Sequence, residues 1–331
     1  MRILITGASG FIGSYVVEEA LARGMETWAA VRGSSSLRYL RDNRIHLIEL
    51  DLSDKETLKR QLSGHVFDYV VHAAGVTKCL HERDFFTVNT EGTRHLAEAL
   101  LELEMPIKRF VYLSSLSVYG AIKEHAPHEE INERDMPCPN TAYGRSKLEA
   151  EKYLESLGTR LPYVILRPTG VYGPRERDYF LMAKSITRHV DFAVGYRRQD
   201  ITFVYVADVT QAIFLALDHG KTGRKYFLTD GGVYQSRTFS DLLRAALGNP
   251  WWIRVTAPLW VLRVVTSVNE AITKITGKPS ALNNDKYHIL KQRNWKCDIR
   301  PAMEELGYRP RFNLEEGVNL AVAWYKNNNW L

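Results

Sequence analysis

Cysteine is scarce in this chain: three among 331 residues, Cys79, Cys138 and Cys297, odd in number and far apart. That count excludes a disulfide framework, and the spacing excludes a cysteine-ligated metal site, so a reducing compartment, the cytoplasm, is expected. No apolar run approaches the roughly 20 residues that a membrane span requires. No signal peptide is expected either, because the first strand and its glycine turn begin almost at once. Charge of one sign is also lacking. The 44 lysines and arginines against 38 aspartates and glutamates leave a net +6, too slight an excess to mark a nucleic-acid binder. Low-complexity runs and internal repeats are absent. What is there is ordinary, 45% hydrophobic and 25% charged, enough for one large α/β unit or two lobes.

The informative stretch is Arg2-Ile3-Leu4-Ile5-Thr6-Gly7-Ala8-Ser9-Gly10-Phe11-Ile12-Gly13. A β-prone run enters a glycine-spaced turn and leaves as a helix, with Val16, Val17, Ala20 and Leu21 on the face of Ile12. Glycines 7, 10 and 13 bring backbone amides and the helix start, at Phe11 and Ile12, close to a pyrophosphate. A second strand, Glu26–Val31, is followed by Arg32 and Ser34. An acidic residue there would select NAD through the ribose hydroxyls, whereas Arg32 and Ser34 suit a 2′-phosphate and favour NADP. A third strand over 45–50 ends at Asp51, placed to read an adenine amino group, and Asp54 is the expected cap of the next helix. The fourth, Tyr69–His72, ends in Ala73, Ala74 and Gly75, small enough for a flat cofactor to pass, with His72 as a satisfied core histidine.

Further along, a long helix is expected from Phe85, with Asn89 an odd choice for its interior. Strands follow over 109–113, 163–168 and 226–228. The loop over 121–140, with His125, His128, Glu129 and Glu130, reads as a solvated excursion without a metal, and the cations Lys291, Arg293, Lys296 and Arg300 as a solvated face. From Ser236 the chain becomes mainly helical, the expected cover of a substrate site. The apolar residues of 251–275 are expected to pack in its core rather than meet a membrane surface or lipophilic substrate.

The chemistry sits in Ser115, Tyr143 and Lys147. Tyr143 and Lys147 are four apart, so a helix sets them on one face. The ammonium is expected to draw the phenol pKa down from about 10 and make it a usable acid or base. Ser115, beyond a strand's carboxyl end, would hydrogen-bond the reacting oxygen.

In these residues the chain resembles the extended short-chain dehydrogenase/reductase family. The resemblance extends through Asp51-Leu52, His72–Gly75, Asn89, Ser114-Ser115, Arg167-Pro168, Val171–Pro174 and Tyr205–Val209. It implies catalytic roles for Ser115, Tyr143 and Lys147, a structural and proton-relay role for Asn89, and cofactor contacts at Leu52 and Pro168. It also implies a doubly wound Rossmann α/β fold with a mostly parallel seven-stranded sheet. The dinucleotide domain would span 1–168, completed by about 203–230, and 169–202 with 231–331 would form a smaller, mainly helical substrate lobe; a homodimer is usual.

Two departures separate the chain from the nucleotide-sugar branch. Gly170 stands where that branch has an asparagine for the substrate pyrophosphate, and Ile201 where it tends to have an arginine. The pattern is nearer the dihydroflavonol reductase and 3β-hydroxysteroid dehydrogenase branch. It implies an NADP(H)-preferring oxidoreductase, with NAD as the alternative cofactor, acting on a small, fairly apolar carbonyl or alcohol. The alternatives are a nucleotide-sugar epimerase or dehydratase, and a cofactor-binding protein without catalysis.

Overall fold

Alternation decides how the first strand sits. In β1 (Arg2–Thr6), Ile3 and Ile5 join one apolar cluster while Leu4 joins another, because successive side chains leave opposite faces of a strand. The same split separates Val71 from Val70, Val111 from Phe110, and Val164 from Ile165. Each fully buried side chain of this size contributes about 1.5–3 kcal/mol. Strands apolar on both faces belong to a parallel sheet covered twice by helices.

The computed structural model describes residues 1–276 and 284–331. In chain order the strands continue as β2 (Glu26–Val31), β3 (Ile45–Glu49), β4 (Tyr69–His72), β5 (Arg109–Leu113) and β6 (Tyr163–Pro168). After them come β7 (Gly170–Tyr172), β8 (Val190–Val194), β9 (Asp200–Ile201), β10 (Phe203–Tyr205), β11 (Lys225–Leu228), β12 (Tyr234–Gln235) and β13 (Ile253–Ala257). Seven of these form one sheet in the order β11-β6-β5-β4-β1-β2-β3, with every pairing parallel. The strand order reverses between β1 and β4, the crevice where such sheets take a ligand.

One face is covered by α1 (Phe11–Ala22) and α7 (Val206–His219). The other is covered by α2 (Lys55–Leu62), α4 (Gly92–Glu102) and α5 (Ala142–Ser156). Asp54 caps α2 as expected, accepting from the Thr57 amide at 2.8 Å. The helical run expected from Phe85 starts earlier, as α3 (Glu82–Phe85), because His81 and Asp84 form a reciprocal cap. Between α3 and α4, residues Phe86–Glu91 make a π-helical turn, a distortion that often marks a functional position.

The remaining helices are α6 (Asp178–Thr187), α8 (Thr238–Ala246), α9 (Leu259–Thr276), α10 (Asn284–Lys291), α11 (Arg300–Glu305) and α12 (Leu314–Asn327). Tyr172, Ile186, Phe239, Leu243, Val318 and Tyr325 centre a separate apolar cluster beside the sheet. Part of the expected lobe instead joins the main core, where Ile299, Ala302, Leu306 and Tyr308 pack with the residues of β11. Residues 277–283 of that expected lobe lie outside the described residues.

Two expectations are corrected. The loop after β5 is not simply solvated: His128 is buried, with Nδ1 3.1 Å from an Asp200 carboxylate oxygen. Two of the cations expected on a solvated face hold that loop down. Arg293 donates to the Glu124 carbonyl at 2.6 Å and Lys296 to the His128 carbonyl at 3.1 Å. The apolar residues of 251–265 do not all pack inward either, since Trp251, Ile253, Val255, Trp260 and Val264 are exposed. Among the described residues β13 pairs only with β8, and one face of this two-stranded ribbon keeps exposed apolar side chains.

What fixes α5 to the sheet is a buried ion pair. Arg167 of β6 donates through Nε to Glu151 of α5 at 3.1 Å and through Nη1 to the Tyr119 hydroxyl at 2.9 Å. Ser114 donates to the same carboxylate at 2.5 Å. Removing one member of such a pair strands the other charge. Glu151→Ala should therefore lower unfolding stability by about 3–5 kcal/mol in urea titrations; a loss under about 1 kcal/mol would refute this role.

Candidate active site

The glycine turn is closed by contacts that leave no room for side chains. Gly7 has φ +68°, and a Cβ there would stand 2.7 Å from the Ala73 carbonyl and Ala74 amide. A Cβ on Gly13 would stand 2.1 Å from the Gly7 oxygen, so helix and strand meet only as glycine. α1 starts after Gly10 without a side-chain cap. The first helical amides, at Phe11 and Ile12, therefore lack the acceptor that a serine or aspartate would supply, which is the setting a bound phosphate uses. These residues, with Ala73 to Gly75 at the end of β4, fit a dinucleotide.

At the adenosine end, Arg32 and Ser34 are exposed beyond β2. Asp51, at the tip of β3, is exposed and engaged with Ser53, whose amide and hydroxyl donate at 2.9 and 2.7 Å and hold its carboxyl below the usual range. Leu52 packs against the core cluster of α2 and α4, and Pro168 ends β6 opposite Leu228. Glu49 was not singled out from the sequence. Its Oε1 lies 2.9 Å from where a Gly33 Cβ would be, so a carboxylate borders the same loop as Arg32. The parallel pairing of Val31 with Glu49 sets it there, and no sequence spacing signals it.

Tyr143 stands in the first turn of α5, capped by Thr141, whose hydroxyl accepts from the Gly144 amide at 3.0 Å. Burial pushes the Tyr143 pKa up to about 12, and a hydrogen bond with Ser115 opposes that. The lowering expected from Lys147 is not found. Its ammonium is turned to the Leu113 carbonyl at 2.9 Å and lies 4.8 Å above the Tyr112 ring. Ser115 is itself fixed at the carboxyl tip of β5, accepting from the Ser117 amide at 3.1 Å. The three groups thus gather at one place: Ser115 beside the Tyr143 hydroxyl, and Lys147 one helical turn on.

Asn89 joins them from the π-helical turn. Its side chain accepts from the Val76 amide at 2.8 Å and donates to the Val76 carbonyl at 3.1 Å and to Ser146 at 3.0 Å. That explains an asparagine inside a helix: it pins the loop leaving β4. A Cβ on Gly75 would stand 3.0 Å from Asn89 Oδ1 and 3.1 Å from Lys147 Nζ, so the end of β4 lies directly against the site. His72 is the core histidine expected, held between Thr6 at 2.7 Å and Thr93 at 2.9 Å, with burial lowering its pKa to about 3.

A residue from the far end of the chain completes the site. Asp285 of α10 accepts from the Ala142 and Tyr143 amides at 3.0 and 3.1 Å, offsetting the partial positive charge of the α5 start. Lys286, the next residue, lies 3.4 Å from Asp178, which also binds Lys78 of the loop after β4. Asp285 was not singled out from the sequence, where nothing announces a partner more than 140 residues away.

A family model for the NAD dependent epimerase/dehydratase family matches residues 3–228. The chain belongs to that family. It is 26% identical to a dTDP-glucose 4,6-dehydratase of Actinoplanes, over 100% of this chain and 99% of that protein. It is also 26% identical to a 4-hydroxy-2-methyl-3-oxo-4-farnesyl-3,4-dihydroquinoline-1-oxide ketoreductase of Stigmatella aurantiaca, over 96% and 95% of the two chains. The crystal structure of a UDP-glucose 4-epimerase from Thermotoga maritima, solved with UDP-glucose, superposes with a TM-score of 0.80 at 25% identity, covering 99% and 100%. The protein is an enzyme of the extended short-chain dehydrogenase/reductase type.

Burial of Lys147 brings its pKa from 10.5 down to about 8, partly offset by Glu151. Between those values the unfolded chain holds a proton that the folded chain does not, so this group makes stability rise with pH across the window. Lys147→Met should flatten that rise in denaturant titrations of the cofactor-free protein, while a slope equal to wild type would show the ammonium to be solvated.

Proposed function

We propose that this enzyme is an NADP(H)-preferring oxidoreductase interconverting a carbonyl and an alcohol on a small, fairly apolar molecule. The observation that carries the substrate class is at Gly170. A Cβ there would stand 2.6 Å from the Tyr179 hydroxyl, so an asparagine reaching for a pyrophosphate would have to displace that side chain. Ile201 packs against the lobe's apolar cluster. Of the four neighbouring arginines able to replace those anion contacts, Arg175, Arg177, Arg197 and Arg198, two are engaged elsewhere: Arg175 donates to Ser14 at 2.9 Å and Glu18 at 2.6 Å, and Arg198 to Asp200 at 3.0 Å. Charge-assisted bonds are worth about 1.5–3 kcal/mol each, a loss that a doubly charged substrate would feel and an apolar one would not. The Stigmatella relative, a ketoreductase whose substrate name includes a farnesyl group, supports the same class.

The cofactor would lie across the glycine turn and the ends of β1 and β4, with Arg32 and Ser34 at a 2′-phosphate; when bound, it supplies or accepts the hydride. The chain's own residues handle the oxygen and the proton. Ser115 donates to the reacting oxygen and orients it. Tyr143, protonated at neutral pH with its pKa raised to about 12, is set up as the acid that completes an alkoxide to an alcohol. Lys147 places a positive charge beside Gly75 at the end of β4, where the cofactor would lie, and Asn89 keeps that loop in place. The enzyme is inferred to act in the cytoplasm, consistent with its free cysteines, and as a homodimer.

The Actinoplanes and Thermotoga relatives favour a second reading, a nucleotide-sugar dehydratase or epimerase. Cofactor turnover separates the two. Stoichiometric NADPH consumption with apolar ketones or aldehydes is expected, and sugar-nucleotide conversion without net redox change would overturn the first reading. In the same assay Tyr143→Phe should lower kcat about 10²–10⁴-fold, and full retained activity would remove it as the proton donor. Arg32→Asp should weaken NADP far more than NAD in binding titrations, whereas equal losses would refute the 2′-phosphate role.

A further inference from the structure

The ribbon made by β8 and β13 is inside out. Register pairs Ile253 with Val190, Val255 with Phe192 and Ala257 with Val194, so these six apolar residues share one face. The opposite face carries Asp191 and Arg254; the carboxylate is turned inward while Arg254 stays exposed at its edge. Asp191 is buried and bonded to Arg254 Nε at 2.6 Å, while Arg254 also reaches Asp241. An ordinary water-facing ribbon would place the ion pair outside and the valines within. Here Phe192 is 67% exposed and Ile253 61%.

The apolar surface continues along the chain at both ends of β13. Trp251 is 63% exposed, and Trp260, in the first turn of α9, is 70% exposed. Val264, also exposed, lies one helical turn from Trp260 on the same side. Two exposed tryptophans beside an apolar face are the side chains that favour the boundary between water and lipid.

Charge decides between occupants. Residues 178–200 and 241–270, which hold the ribbon and its flanks, carry seven lysines and arginines against five aspartates and glutamates. Four of those carboxylates are already paired, Asp178 with Lys78 and Lys286, Asp191 and Asp241 with Arg254, and Asp200 with Arg198. Arg188, Arg197 and Arg263 are exposed around the face. A second copy docked here through a two-fold axis would set one cationic rim against another. A surface of anionic lipid headgroups complements the rim and takes the aromatic and aliphatic side chains into its boundary.

We propose that the exposed face of the β8–β13 ribbon, with Trp251 and Trp260, docks the enzyme peripherally on an anionic lipid surface. This is contact with one leaflet; no helix among the described residues is long and apolar enough to cross a membrane. The inference does not depend on the proposed reaction, because its readout is partitioning rather than turnover.

The intact protein should co-sediment with phosphatidylcholine vesicles containing about 30% phosphatidylglycerol at low salt, and detach at about 1 M salt, where screening shortens to about 3 Å. Phe192→Asp combined with Trp260→Asp should weaken that partitioning at least about tenfold, with unchanged circular dichroism and cofactor binding. Arg188→Glu combined with Arg197→Glu should remove the salt-sensitive part. Absence of wild-type binding at low salt, or equal binding by the aspartate variant, would overturn the proposal. So would a wild-type oligomer in light scattering that the aspartate substitutions dissolve, since the face would then join two copies of the chain.

Discussion

A carboxylate and a guanidinium, both shut away from water, hold the site in place. Glu151 lies on α5 one turn beyond Lys147 and two beyond Tyr143, and Arg167 lies on β6. Neither charge has solvent to fall back on, so each depends on the other and on the hydroxyls of Tyr119 and Ser114. The bond sets the rotation and height of α5 against the sheet, and with them the direction in which Tyr143 and Lys147 project. Ser114 ties in the tip of β5, from which Ser115 follows. One pair thus ties β6 to the two elements that carry the candidate groups, α5 with Tyr143 and Lys147 and the tip of β5 with Ser115, and Glu151 also favours the charged form of Lys147.

The other half of the site is built by absence of side chains. Gly7, Gly13 and Gly75 stand where a single Cβ would collide with the neighbouring strand, the turn or the lysine. Close approach of backbones brings the end of β4 next to α1 and next to Lys147. The lobe then reaches over from the far side: Asp285 binds the amides at the start of α5, and Asp178 joins the loop after β4 to α10. Helix α5 is therefore held at its base by the sheet and at its tip by Asp285 of α10.

The tyrosine behaves as its surroundings dictate. A lysine four residues away was expected to lower its pKa, yet the ammonium points to the Leu113 carbonyl and the Tyr112 ring, and burial raises the phenol instead. Spacing on a helix tells which side chains share a face. It does not tell which acceptor a long, flexible ammonium chooses, because that acceptor belongs to a strand more than thirty residues away in the chain.

Local pattern was enough for the parts of this protein that local physics controls. Runs of β-branched residues between glycine and small-residue turns define the buried strands, glycine spacing defines the tight turn into α1, and Ser115, Tyr143 and Lys147 stand out as candidates by type and position. Residues whose meaning lies in a partner were silent: Glu151 beside Arg167, Glu49 beside Gly33, Asp285 beneath Tyr143, His128 buried against Asp200. The apolar residues of 251–265 misled for the same reason. Hydrophobicity along a chain says what a side chain would prefer to bury, but only packing decides whether another element arrives to cover it, and among the described residues β13 pairs with one strand and keeps Ile253 and Val255 exposed.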